Sequence, residues 1–396
     1  MSEWKEYNLN EVYDFASGLS KGASEFGFGH GFLGYKDVFH NFFAPDELIS
    51  LVNSTEKEQE SCSIKRGDVF LTRTSETDED LGMSCVALKD YPKATFNGFT
   101  KRLRPKGNVE ILPEYAGFYF RSPKFRGTVS GMSSITTRAS LNNSMLAQLT
   151  IDVPPIEEQK AVADTLYKMY SKINLLSKQN ETLENLTDVL YSQLLEISNN
   201  DDWNESSILD FPELSLIKPG IETFTGDKIY LATADIQGRV IVNRKNKISF
   251  YKRPSRANMQ PVINSIWFAK MKDSPKFLLI DGTNESMITE FILSTGFYGL
   301  KAGEGLYFIW KFINSIDFSN QKNSNISGSV MEALNNEGLK GIHLKYPPKE
   351  LLKVFEDTVT PYYHKISNNN MQIQSLQKML DSLLPKLMNR EAYLTI

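Results

Sequence analysis

The sequence holds only two cysteines, Cys62 and Cys85, and four histidines among 396 residues. Two cysteines exclude a disulfide framework and cannot complete a four-ligand zinc site. His30, His40, His343 and His364 show no metal-ligand spacing to one another or to cysteine. Apolar runs are short. Phe277–Ile280 is typical, and a membrane-spanning helix needs ~18 residues. The first twelve residues are polar and lack the apolar stretch of a signal peptide, so a cytoplasmic location is expected. Nucleotide-binding signatures are missing too: no Gly-rich run ends in Gly-Lys-Ser/Thr, and no G-x-G-x-x-G opens a helix after a strand. The glycine-rich residues 29–37 are expected to form a flexible turn. The dipeptides Pro154-Pro155 and Pro347-Pro348 lack the preceding polar and following aromatic residues with which an amino-methyltransferase grips a flipped adenine. No Ser-His-Asp or Cys-His set stands out. The chain nominates no catalytic residue and no metal ligand.

Charge is nearly balanced, with 44 Lys plus Arg against 48 Asp plus Glu, a formal −4. Taken whole, this argues against a nucleic-acid partner. Its distribution argues otherwise. Residues 1–64 hold four basic and eleven acidic side chains, residues 101–138 hold eight and two, and residues 239–276 hold ten and one. Attraction to phosphate acts over a Debye length of ~8–10 Å, so the local field decides. Two basic stretches, including Lys101, Arg102 and Arg104 in the first and Lys270 and Lys272 in the second, are expected to form binding faces.

The strongest feature is an internal repeat. At an offset of 193, Glu157, Lys160, Asp164, Thr165, Tyr170, Lys172 and Ile173 recur as Glu350, Lys353, Asp357, Thr358, Tyr363, Lys365 and Ile366. Further identities run to Leu194 and Leu387, with no gap. Trp4 and Leu9 match Trp203 and Ile208 at an offset of 199. The order is therefore variable region, helix, variable region, helix. Both helical segments carry apolar residues in steps of three and four, including Ile173, Leu176, Leu183 and Leu190 in one and Ile366, Ile373, Leu376, Leu380 and Leu383 in the other. Such a pattern predicts a coiled-coil seam, interrupted by Asn180 and Asn369. Pro361 should kink or interrupt the second helix, and Pro385 should end its regular seam.

These boundaries predict recognition regions at 1–153 and 200–346, a spacer helix at 154–199, and a second with the C-terminal tail at 347–396. Each variable region should be a small α/β mixture. Strands are expected near 68–73, 229–232, 239–242, 265–269 and 277–280. Residues 115–121 and 305–312 are aromatic and either helical or extended. The fold class is α+β, with two mixed domains joined by two long helices pairing as an antiparallel coiled coil.

Three polar tracts carry recognition chemistry. Residues 70–77 include Thr72, Arg73, Thr74 and Ser75 after a strand. Residues 133–138 include Thr137 and Arg138. Residues 251–260 include Lys252, Arg253, Arg256 and Asn258. Arginine pairs bidentately with guanine and asparagine with adenine, and hydroxyls reach bases or phosphates.

The sequence resembles the specificity subunits of type I restriction–modification systems over nearly its whole length. The likeness is carried by Gly67-Asp68-Val69-Phe70-Leu71-Thr72-Arg73-Thr74, by Pro154-Pro155-Ile156-Glu157-Glu158-Gln159-Lys160, by Tyr230-Leu231-Ala232-Thr233-Ala234-Asp235-Ile236, and by Leu383-Leu384-Pro385-Lys386-Leu387. The second copy departs where Leu351-Leu352-Lys353 replaces Glu158-Gln159-Lys160. The resemblance implies a non-catalytic chain with two target recognition domains, each reading half of a split site in double-stranded DNA. It also implies two modification subunits that methylate adenine with S-adenosylmethionine, and restriction subunits that use ATP and magnesium to translocate and cut. On that reading no cofactor binds this chain, and no membrane is involved. A coiled-coil scaffold without a DNA role accounts for the helices but not the basic tracts. A self-contained methyltransferase or nuclease lacks the motifs it would need.

Overall fold

The computed structural model describes residues 4–75, 80–133, 139–197, 203–211, 213–283, 285–326 and 332–392. Two segments lack glycine throughout and carry apolar residues at helical spacing, and they form the longest elements: helices Ile156–Ile197 and Lys349–Met388. Pro154-Pro155 precedes the first, whose first turn holds Glu157 and Glu158, where acidic groups complement the helix dipole. Among the described residues no helix is long and apolar enough to cross a membrane.

Compactness divides the chain into Met1–Asn174 with Ile373–Ile396, and Leu175–Gln372. In the first unit, Val162, Ala163 and Leu166 share a core with Leu380, Leu384, Leu387 and Met388. In the second, Tyr191 and Leu194 share one with Leu352, Phe355, Val359, Tyr363 and Ile366. In the second unit Asn180 meets Asn369 and Thr187 meets Tyr363, so residue numbers rise on one helix as they fall on the other. The pairing is antiparallel.

Each unit builds the same frame from different side chains. Strand Lys5–Asn8 pairs antiparallel with Thr150–Val153, and Asn204–Ser207 with His343–Tyr346. In both units the later strand of the pair leads directly into a Pro-Pro step and a long helix. A four-stranded antiparallel sheet runs Tyr13–Ser17, Thr100–Pro105, Val69–Thr72, Ser84–Val86. Its counterpart runs Leu214–Leu216, Phe297–Ala302, Ser265–Ala269, Phe277–Ile280. The spatial order of the strands is the same. The remaining sheets differ: Leu51–Val52, Phe26–Leu33 and Thr95–Phe96 make a three-stranded one. In the second unit, Lys247–Ile248, Lys228–Leu231, Phe291–Ser294 and Ala257–Met259 make a four-stranded one.

The aromatic segments resolve as short helices, Pro113–Tyr119 and Leu306–Ile313. Every residue of the second is buried. Neither starts with a side-chain cap of its own, and in each unit the long helix supplies the missing acceptor. Leu112 N–H donates to Gln159 Oε1 at 2.9 Å. The N–H groups of Tyr307 and Phe308 donate to the Glu356 carboxylate at 3.3 and 2.9 Å.

Three expectations change. Pro361 lies inside Lys349–Met388 without interrupting it. Pro361 and Asp357, whose carbonyl loses its i+4 donor, are both exposed, so water can satisfy that carbonyl. Pro385 is likewise within the helix. Residues 29–37 form no flexible turn: they span strand Phe26–Leu33 and open helix Tyr35–His40. A Cβ at Gly29 would lie 2.6 Å from the Val52 carbonyl oxygen. The glycine there admits close strand approach rather than mobility.

The seam residues occupy graded environments. Leu176, Leu380 and Ile366 are buried, while Ile173, Leu183, Leu190, Ile373, Leu376 and Leu383 are half-buried. Asn369 is fully buried, and its Nδ2 donates to Gln179 Oε1 at 2.9 Å and Asn180 Oδ1 at 2.8 Å. Asn180 Nδ2 donates to Asn370 Oδ1 at 2.9 Å. Tyr363 is buried and the adjacent Tyr362 half-buried, while Ile197 at the end of the first helix is 51% exposed.

Candidate nucleic-acid interface

In the first unit most of the basic stretch is used up by the fold. Strand Thr100–Pro105 lies between two others, and its side chains are buried from Thr100 to Leu103. Lys101 Nζ donates to Ser17 Oγ at 2.9 Å and Asn143 Oδ1 at 2.8 Å. Burial first, and the charge of Arg73 second, push its ammonium below the usual lysine range. Arg102 is buried and donates to the Ser63 and Ser61 carbonyls at 2.6 and 3.3 Å. Arg104 grips fully buried Asp68 in a fork, Nε to Oδ1 at 2.7 Å and Nη2 to Oδ2 at 2.6 Å. Arg121 has four carbonyl partners, of Ser84, Val38, Phe39 and Asn41. Lys124 pairs with Asp152, and Arg126 donates to the Leu81 carbonyl.

A buried cation needs partners, because desolvation otherwise costs several kcal/mol. Lys101, Arg102 and Arg104 each spend donors on partners inside the fold, which makes them poorer candidates for a binding face than the charge count suggests. Thr72 is a poorer candidate too. It is fully buried, with its hydroxyl donating to Asp80 O at 3.1 Å and accepting from Met83 N–H at 2.9 Å.

Arg73, Thr74 and Ser75 are half-buried at the end of the same strand run. Thr74 and Ser75 pair with Ala139 and Ser140, and Tyr35 Oη donates to Thr74 O at 3.2 Å. Arg73 is pinned by its backbone, its N–H donating to Phe99 O at 2.9 Å. Its Nε is buried without a hydrogen-bond partner among the described residues. Phe99 is 59% exposed. Arg73 and Phe99 together make a candidate contact surface in the first unit. Thr137 and Arg138 lie outside the described residues.

The second unit keeps more of its charge outward. Lys252 and Arg256 are exposed, and neither forms an ion pair among the described residues. Arg253 is half-buried, over the Phe250 ring at 4.4 Å, and donates to the Phe250 carbonyl. Asn258 is half-buried in strand Ala257–Met259. These four residues are brought together in and beside the turn joining Lys247–Ile248 to Ala257–Met259. Lys270 and Lys272 lie elsewhere: Lys270 stands 4.3 Å over the Tyr298 ring, its ammonium pushed down by burial, and Lys272 pairs with Glu332 at 3.2 Å. Arg239 is held by Glu184 at 2.9 Å, and Lys276 donates to Thr233 O at 2.6 Å.

Sequence reasoning did not single out Phe99, nor Tyr251 at the head of the 251–260 tract, although an aromatic beside a basic run was there to be seen. Among the described residues no cluster of His, Cys, Asp and Glu could hold a metal ion.

The model of the type I restriction modification DNA specificity domain matches residues 1–185. The type I restriction enzyme MjaIX specificity subunit of Methanocaldococcus jannaschii is 24% identical over 371 residues, covering 85% of this chain and 80% of that one. The EcoKI specificity subunit of Escherichia coli is 23% identical over 196 residues, covering 49% of this chain and 42% of that one. In fold the chain is similar to the crystal structure of a type I restriction–modification S subunit from M. genitalium. The TM-score is 0.62 at 13% identity, over 100% of this chain and 97% of that one. Residues 1–185 thus match a type I restriction modification DNA specificity domain, and the chain is similar in sequence to type I restriction enzyme specificity subunits and in fold to an S subunit.

Proposed function

We propose that this chain reads a bipartite, asymmetric site in double-stranded DNA, one half per recognition domain. On that reading it directs adenine methylation by two modification subunits and ATP-dependent cleavage by restriction subunits. S-adenosylmethionine, ATP and magnesium would belong to those partners. The observation that carries the reading is the repeated four-stranded sheet, the same strand order in both units, bearing different loops. A shared frame with different loops suits two unlike half-sites, as two-fold readers suit matching ones. Outward Lys252 and Arg256 in one unit, and Arg73 with Phe99 in the other, support a role in contact.

The test is a salt titration of binding to a duplex carrying the methylated motif, with the modification subunits present. Affinity should fall steeply and linearly with log salt as counterions are released. Replacing Arg253 and Arg256 with alanine should relax the preference at one half-site only. An affinity indifferent to salt, or equal loss at both half-sites, refutes the reading.

A further inference from the structure

The turn at residues 249–256 presents an aromatic side chain that the fold does not use. Tyr251 is 89% exposed, and its hydroxyl has no hydrogen-bond partner among the described residues. A single exposed aromatic is ordinary. This one stands on a built mount. Its ring meets Phe250 edge-to-face at 5.2 Å and 89°, and Phe250 meets Phe224 the same way at 5.7 Å and 89°. Phe224 packs on the core formed by Ile248, Ala257 and Ile292. Arg253 clamps the arrangement, over Phe250 at 4.4 Å and bonded to its carbonyl. The backbone is tied as well: Ala257 N–H donates to Pro254 O, and Thr295 N–H to Arg256 O, both at 2.9 Å.

The surroundings select the partner. Residues 243–257 hold six cations, Arg244, Lys245, Lys247, Lys252, Arg253 and Arg256, and no acidic residue. A polyanion with flat apolar faces satisfies both features. Cations hold its phosphates, and an exposed aromatic ring among them meets a base face.

Resting on the DNA-reading role above, we propose that Tyr251 is a stacking wedge of the second recognition domain. Its ring enters a base-pair step of one half-site while Lys252 and Arg256 hold the flanking phosphates. The wedge would sense how readily that step unstacks, giving specificity at a position with no hydrogen-bond readout.

The experiment uses the full chain with its modification subunits and a cognate duplex carrying 2-aminopurine in turn at each position of the two half-sites. Tyr251→Ala should weaken binding about ten-fold or more. It should also abolish the fluorescence rise that marks unstacking in one half-site, and leave the salt slope unchanged. Tyr251→Phe and Tyr251→Trp should keep both affinity and fluorescence. Lys252→Ala or Arg256→Ala should instead lower the salt slope by about one each. Three results overturn the proposal while sparing the DNA-reading role: Tyr251→Ala within two-fold of the parent, fluorescence that persists in it, or Tyr251→Phe as weak as Tyr251→Ala. A parent complex with no sequence-dependent binding overturns both.

Discussion

Glu356 ties helix Leu306–Ile313 to the second long helix, and it makes stability depend on pH in a direction that can be derived. Helix Leu306–Ile313 begins at Gly305, which sits in the left-handed region at φ 83° and offers no capping side chain. The Glu356 carboxylate takes the two leading N–H groups instead. Burial pushes this carboxyl up to about 7 from an ordinary 4.5, against the pull of those two N–H groups, with Asp357 adding to the rise. The folded unit therefore binds this proton more tightly than the unfolded chain does. The stabilisation is complete below pH 4.5 and is lost as pH rises through 7. A gap of that size is worth roughly 3 kcal/mol, of which roughly 2.5 kcal/mol falls between pH 5 and 8. Glutamine at this position stays neutral and can still accept from the N–H groups. Denaturant unfolding of the parent and Glu356→Gln at pH 5, 6, 7 and 8 isolates the group as a difference. The variant should gain on the parent by roughly 2.5 kcal/mol across that range. Parallel pH curves would refute the reasoning.

Two further outcomes separate structural from contacting residues. Arg102→Ala strands the Ser61 and Ser63 carbonyls and should cost the first unit about 1–3 kcal/mol in thermal or denaturant unfolding. By contrast, Arg256→Ala should change stability by less than about 0.5 kcal/mol and weaken DNA binding. In the second unit's sheet, an alanine Cβ at Gly299 would stand 2.5 Å from the Trp267 ring, which is fully buried. Gly299→Ala should therefore cost about 1–3 kcal/mol by overpacking, visible as a lowered Tm.

The helices and the repeat were legible because period and offset are properties of the chain itself. Alternating steps of three and four survive any tertiary arrangement, and so does a match at 193 residues. Strands Ser265–Ala269 and Phe277–Ile280 were legible from their short apolar, aromatic runs. The first basic stretch misled because a charge count does not show where each charge goes. Arg104 finds Asp68, and Arg102 finds carbonyls at positions 61 and 63. Those partners lie some forty residues away and are set by sheet register. The glycine-rich segment misled because glycine serves close backbone approach as well as turns. Pro361 misled because an exposed carbonyl can turn to water, a fact of burial rather than composition. The candidate surface was partly legible: Lys252, Arg253 and Arg256 share one turn, but the aromatic mount beneath Tyr251 depends on a fold-brought partner, Phe224.

The most direct measurement is a base-resolution map of methylated adenine in DNA exposed to this chain, its modification subunits and S-adenosylmethionine. Methylation confined to one split, asymmetric motif, with one half altered when residues 200–346 are exchanged for those of a relative, is the expected result. Methylation that is absent, that falls on an unsplit motif, or that keeps both halves after the exchange would contradict two independent readers in one chain.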